Sequence, residues 1–170
     1  MCYIITIKKK KTSKIVKKMK GRGLMKKNIS NVRRTVCLMA NSLVKAGYNL
    51  SEAFKKAWRR VKTGMTIRAT GTTFENRQEI LKCIRQCNKE SLSVLLLRDK
   101  KNAYDKNAVG VVVYIKPIKK YAVVGYVPKG LAQELAKVID AGIEVKCDAF
   151  EVIGGYSYKE HYGALLTLTV

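Results

Sequence analysis

The chain has 170 residues, enough for one ordinary domain or one small domain with an appendage. Hydrophobic residues make up 47% of it, so a packed core is expected. Lys and Arg number 35 against 12 Asp and Glu, a net charge of +23, and a protein this basic is expected to meet a polyanion. No run approaches the ~18 apolar residues of a membrane span.

The charge is unevenly spread. Residues 1–64 hold nineteen Lys and Arg and a single acid, Glu52, whereas residues 65–170 hold sixteen and eleven. A shift of that size within one chain predicts a basic arm or module joined to a nearly balanced domain. Met1 to Ile7 is apolar but too short for a secretory signal, and Lys8 to Lys11 follow it rather than lead it. The five cysteines (Cys2, Cys37, Cys83, Cys87 and Cys147) are odd in number and scattered. Reduced thiols in a cytoplasm fit that pattern best.

In chain order, residues 1–30 read as a basic, extended arm: ten Lys and one Arg stand in 1–27 without an acid, and Gly21 and Gly23 break any periodicity. Such an arm either tracks phosphates or is a solvated tail. Residues 31–64 read as a basic αα-hairpin. Val32, Val36, Met39, Leu43 and Val44 recur at helical spacing up to Gly47. Ser51 is the expected cap of a second helix, with Glu52 in its first turn. Phe54 and Trp58 are expected to dock this pair on the following domain. Lys55, Lys56, Arg59 and Arg60 form a basic face open to phosphate contact. A helix-turn-helix shares this outline, but so do many helix pairs.

From Met65 the pattern turns β-rich. MTIRATGTTF runs as a strand into a bend at Gly71, and NRQEILKCIRQC is a short helix. SLSVLLLR, AVGVVVYI and KYAVVGYV are strands, the first two separated by the turn DKKNAYDKN. PKGLAQELAKVIDAG is a helix with Pro128 at its start and Gly142 at its end. IEVKCDAFEVIGG and YGALLTLTV complete the set. The predicted class is α+β: about six strands in a small, partly open barrel with two helices over 65–170. Gly154-Gly155 is a hairpin signal. The tyrosines that follow, Tyr156 and Tyr158, are either an exposed stacking edge or ordinary strand faces.

Four segments in this order, GTTFENRQ (71–78), LLLRDKKNAYDKNAVGV (95–111), VVGYVPKGLAQELAKVIDAG (123–142) and FEVIGG (150–155), resemble the HIRAN domain. The phrase NAYDKNAV followed by VGYVPK is the most specific part, and the likeness covers about residues 66–170. It implies a modified OB-like barrel of the kind found in stand-alone bacterial and phage proteins and fused to helicase-like remodelling proteins. It also implies binding of single-stranded DNA with capture of a free 3′ hydroxyl. By position, Tyr104 would stack on a terminal base, Asp105 would accept a hydrogen bond from the 3′ hydroxyl, and Lys129 would hold a backbone phosphate. Two places depart from the family's pattern. Ile67 and Arg68 stand for an Arg-Tyr pair, and Tyr126 for a histidine; Arg68 can stack its guanidinium on a base, and Tyr126 can stack or donate its hydroxyl. Bacterial-type members read G-x-T-F-x-x-R-Q at the first bend, which makes Phe74 and Arg77 candidate contacts, with a core role the alternative for Phe74. Read without the resemblance, Asn102, Asp105 and Asn107 are simply turn formers.

No constellation supports an enzyme. His161 has no regularly spaced metal partner and no nucleophile motif beside it, and Cys83 and Cys87 read as buried thiols rather than half of a zinc site. No cofactor and no metal are expected. The leading reading is a cytoplasmic or nucleoid-associated DNA-binding protein that takes single strands or frayed 3′ ends in the barrel groove and phosphates on its basic N-terminal region. One alternative is a phage or mobile-element interaction protein, acting in the host cytoplasm, that blocks a host nuclease or repair factor as an anti-defence device. Another is an RNA-associated factor.

Overall fold

The computed structural model describes residues 29–158 and 160–170; the predicted arm up to residue 28 lies outside them. Helix α1 (Ile29–Lys45) buries Val36, Met39, Ala40 and Leu43, a stripe at the three-and-four spacing of one helical face. Val44, one step round, is exposed rather than part of that stripe. Thr35 and Ser42 are buried beside it and return their hydroxyls to the carbonyls of Asn31 and Leu38 at 2.8 and 3.0 Å. Gly47, at φ +96°, lets the amide of Tyr48 bond back to the Leu43 carbonyl at 3.1 Å and end the helix.

Helix α2 (Leu50–Thr63) starts earlier than expected. Its cap is Asn49, not Ser51: Asn49 is extended, and its Oδ1 accepts the amide of Glu52 at 2.9 Å. The pair docks on the rest of the molecule, but not as predicted. Ala53, Ala57 and Val61 form the fully covered face, and Phe54 is half-buried. Trp58 points away, 39% exposed, with the Lys62 ammonium 5.9 Å from its ring centroid. The small side chains of Ala53 and Ala57 occupy the covered face in place of the indole.

β1 (Met65–Arg68) pairs with β6 (Gly163–Thr169), which pairs with β5 (Lys146–Ile153). β2 (Leu92–Arg98), β3 (Val109–Ile115) and β4 (Lys120–Tyr126) form a second sheet. All pairings are antiparallel. Central strand β3 is buried on both faces, which its unbroken VGVVV run anticipates. α3 (Arg77–Gln86) packs on β4 and β5, and α4 (Lys129–Asp140) packs on β2 and β3. α1 covers α4, and α2 reaches β6. The strands therefore make two three-stranded sheets, not a closed barrel. On one side β2 and β5 approach without pairing; on the other, β1 is only four residues long and its continuation meets β4 through the single bridge Thr70–Tyr126.

The docked helices are held by a buried ion pair. Arg60 of α2 bonds to Glu134 of α4, whose side chain is only 6% exposed, and Lys137 donates to the Ser42 hydroxyl at 2.9 Å. Arg60→Ala leaves the Glu134 carboxylate buried and unpaired and is expected to lower stability by about 3–5 kcal/mol. Trp58→Ala, at a ring 39% exposed, is expected to cost clearly less. Urea denaturation of the two variants checks the order; a larger loss in Trp58→Ala means that the indole, not the ion pair, carries the docking.

Candidate nucleic-acid interface

The tract between β2 and β3 is a turn whose shape is set by its own short polar side chains. Asn102 Oδ1 accepts the amides of Tyr104 and Asp105 at 3.0 and 3.1 Å, and Asp105 Oδ1 accepts the amide of Asn107 at 2.8 Å. Arg98 braces the turn from the strand, donating to the carbonyls of Ala108 and Lys106 at 2.8 and 3.1 Å. Asp99 ties it outward, accepting from Asn102 Nδ2 at 3.2 Å and from the Tyr126 hydroxyl at 3.1 Å. On this fixed turn the ring of Tyr104 is 96% exposed. Lys101 and Lys106 flank it in the open. Lys100 is also outward but pairs with Asp140 at 3.5 Å.

Tyr126 joins the turn to the first bend. Arg77 lies over its ring at 5.2 Å and donates to the Gly71 carbonyl at 2.7 Å. Gly71, at φ +68°, has the side chains of Arg77, Phe74 and Tyr126 all within contact of where a Cβ would stand. Phe74 is 66% exposed, so its alternative as a core residue is not what the structure holds. Arg68 is exposed and lies over Gly163 at the start of β6. Lys129, the first residue of α4, is exposed three residues beyond Tyr126. Tyr104, Asp105, Tyr126, Arg77 and Phe74 are thus linked through Asp99, Asn102 and Gly71.

The hairpin candidates divide. Lys55 and Arg59 are exposed. Lys56 donates to the Tyr48 hydroxyl at 2.9 Å and sits 4.3 Å from its ring centroid. Arg60 is held by Glu134 and serves the fold, not the basic face. Two residues that shape the site were not among the expected contacts. Asp99 opens the turn phrase, and Gln78 ends GTTFENRQ; Gln78 bonds to the carbonyls of Thr72 and Tyr162 at 2.8 and 2.9 Å and takes the Tyr162 amide at 2.8 Å. A glutamine just inside a helix start was the available signal for the second.

Cys83 is exposed and Cys87 half-buried, its thiol directed at the Cys83 carbonyl at 3.4 Å, so the expected buried pair is only partly covered. Burial pushes the Cys147 thiol up to about 11, which keeps it protonated and unreactive near neutrality. Among the described residues no cluster of three His, Cys, Asp or Glu is placed to hold a metal, and no helix is long and apolar enough to cross a membrane.

Burial, then the Asp99 carboxylate, raises the Tyr126 hydroxyl above its ordinary 10.0, against a smaller opposing pull from Arg77. The neutral phenol is the form the fold favours. Its contribution is fully present below pH 10.0 and is lost as the pH rises through the raised folded value. An ultraviolet titration is expected to show a late-ionising tyrosine that Tyr126→Phe removes, at a stability cost near neutrality of about 1 kcal/mol. Burial, then the neighbouring Tyr114, also raises the Tyr121 hydroxyl, so one late component is expected to remain in Tyr126→Phe; a late component of unchanged amplitude overturns the assignment to Tyr126.

Three comparisons bear on this arrangement. The family model for the HIRAN domain matches residues 67–153. A crystal structure of a protein from Lactobacillus plantarum is similar at 23% sequence identity, over 62% of this chain and 92% of that one, with a TM-score of 0.41. No curated protein sequence matches.

Proposed function

The chain belongs to the HIRAN domain family, and on that premise we propose that it binds DNA, taking a single strand or a frayed 3′ end at the Tyr104 turn. The HIRAN domain is a nucleic-acid-binding domain, and the net charge of +23 suits a polyanion. The observation that carries the reading is the ring of Tyr104. An aromatic side chain 96% exposed has no packing role, yet its backbone is fixed by Asn102 and its turn by Asp99 and Arg98. A ring presented on a fixed turn stacks on a base with little further ordering.

In this reading Asp105 takes the 3′ hydroxyl with the carboxylate oxygen not used on the Asn107 amide. A 3′ phosphate meets like charge there and is rejected. Lys129 takes a backbone phosphate, and Arg68, Phe74 and Arg77 line the approach. Lys55 and Arg59 add phosphate contacts on the hairpin.

Fluorescence anisotropy with single strands ending in a 3′ hydroxyl or a 3′ phosphate, circular single strands, duplex DNA and matched RNA tests each part. Tyr104→Ala is expected to weaken all single-strand binding by about 1–3 kcal/mol. Asp105→Ala is expected to erase the preference for the hydroxyl end with little change in bulk affinity. Equal affinity of the unaltered protein for hydroxyl, phosphate and circular strands overturns end recognition and leaves strand binding. The hairpin is read separately through salt. Lys55→Gln with Arg59→Gln is expected to flatten the log–log salt dependence by about 0.7 for each single-strand phosphate that the two cations neutralise, without altering end preference.

A further inference from the structure

Helix α2 keeps an apolar ridge that the fold does not cover. Leu50, Phe54 and Trp58 recur every four residues, which sets them in one row along the helix, and that row runs about 12 Å. It borders the docked face of Ala53, Ala57 and Val61. Phe54 is therefore half-buried against the core, while Leu50 is 62% and Trp58 39% exposed. A second row lies about 100° round the axis: Lys55 and Arg59 each follow a residue of the ridge, and both are exposed. Lys62, one turn beyond Trp58, is exposed too and reaches its ring. Among the described residues no carboxylate pairs with any of these three cations.

An aliphatic and an aromatic side chain in water beside three unpaired cations restrict what covers them. The chain's own residues 1–27 hold ten Lys and one Arg and no acid, and a second copy carries a net +23; both bring like charge to the basic row, which disfavours contact. A nucleic-acid strand offers phosphates to the cations but nothing aliphatic to Leu50, and Lys62 already stands at the indole. A helix lying in a membrane surface immerses a whole apolar face, whereas α2 has committed its own to the contact through Ala53, Ala57 and Val61 and keeps only a narrow row. A protein segment with apolar residues on one side and carboxylates on the other meets both rows at once.

We propose that this face of α2 docks an acidic, amphipathic segment of another protein. The apolar side chains of that segment cover Leu50 and Trp58, with Trp58 the anchor, since tryptophan is among the residues that dominate such contacts. Its carboxylates meet Lys55, Arg59 and Lys62. Lys55 and Arg59 are the hairpin cations assigned to phosphate above, so segment and strand compete on the hairpin and the Tyr104 turn is left to the strand.

Trp58 is the only tryptophan of the chain, so its emission reports this face alone. The full chain is titrated with a synthetic helical peptide carrying leucines on one face and glutamates on the other, with the same peptide carrying glutamine for glutamate, and with polyglutamate, phosphatidylglycerol vesicles and duplex DNA. The leucine–glutamate peptide is expected to move the emission to shorter wavelength, as the indole passes from water into hydrocarbon. The glutamine version is expected to bind more weakly, by a margin that shrinks as salt is raised. With labelled peptide followed by anisotropy, Trp58→Ala is expected to weaken binding by about 30-fold or more, and Leu50→Ser to weaken it as well. Tyr104→Ala is expected to leave the peptide affinity unchanged, so this result is independent of the strand-binding reading. An emission that the peptide does not move, or that vesicles or duplex DNA move in its place, overturns the proposal. Polyglutamate bound as tightly as the peptide overturns it too, because the face then acts through charge alone. Should Trp58→Ala fail to fold, Leu50→Ser decides: a peptide affinity equal to that of the unaltered protein means that the ridge is not the contact.

Discussion

The two sheets are joined where residues 69–72 cross β4 at Gly125, and the crossing works only because Gly125 has no side chain. A Cβ there would stand 2.8 Å from the Thr70 carbonyl oxygen and 3.1 Å from the Ala69 Cβ. With the space open, Thr70 and Tyr126 exchange backbone hydrogen bonds at 2.8 and 2.9 Å, and the Thr70 hydroxyl adds a third to the Tyr126 carbonyl at 3.2 Å. Tyr126 is thereby fixed by its backbone, and its side chain is free to act elsewhere. It supports Arg77 on its ring and holds Asp99 with its hydroxyl. The first bend and the Tyr104 turn, which are far apart in sequence, thus share one anchor. A register shift between Val111 and Val112 opposite this point adds the local twist that such an irregularity brings.

The acids near the site are used as fasteners. Asp99 holds Tyr126 and Asn102, Asp105 closes its own turn, Glu134 holds Arg60, and Asp140 takes Arg98 and Lys100. Arg60–Glu134 differs in kind from the others because Glu134 is buried. An exposed pair such as Lys100–Asp140 is worth little, whereas a buried carboxylate without its partner is costly. This is why a basic helix can dock on a basic protein: one of its cations is consumed at the contact while Lys55 and Arg59 stay in water.

Much of the fold was legible from the sequence because its signals are local. The turn residues at 99–107, Pro128 before α4, Gly47 after α1 and the apolar run of β3 each act within a few residues, and each element forms where its signal stands. The family was legible from NAYDKNAV and VGYVPK. What could not be read depends on distance through space. Trp58 looked like the docking residue because it is large and on the apolar stripe; the actual contact favours Ala53 and Ala57, which only the approach of α1 decides. Arg60 looked like a surface cation, since its partner lies 74 residues away. A partly open barrel was expected from the strand count; where it opens depends on which edge strands pair, and β2 and β5 do not. The role of Asp99 is not local either, since it depends on Tyr126 arriving from another strand.

The division of labour between charge and aromatic rings follows from what each can distinguish. Lysines and arginines attract any polyanion, and their contribution falls with salt whatever the sequence or strandedness. A ring can stack only on a base whose face is free, and in a duplex those faces are already covered by neighbouring bases. In the proposed function, discrimination between single strands and duplex therefore rests on Tyr104, and the cations set only how tightly the strand is held. Rigidity makes the discrimination effective. If the Tyr104 turn were mobile, the cost of ordering it would offset much of the stacking gain. Fastening it through Asn102, Asp99 and Tyr126 meets that cost during folding, so the ring is already in position when a strand arrives.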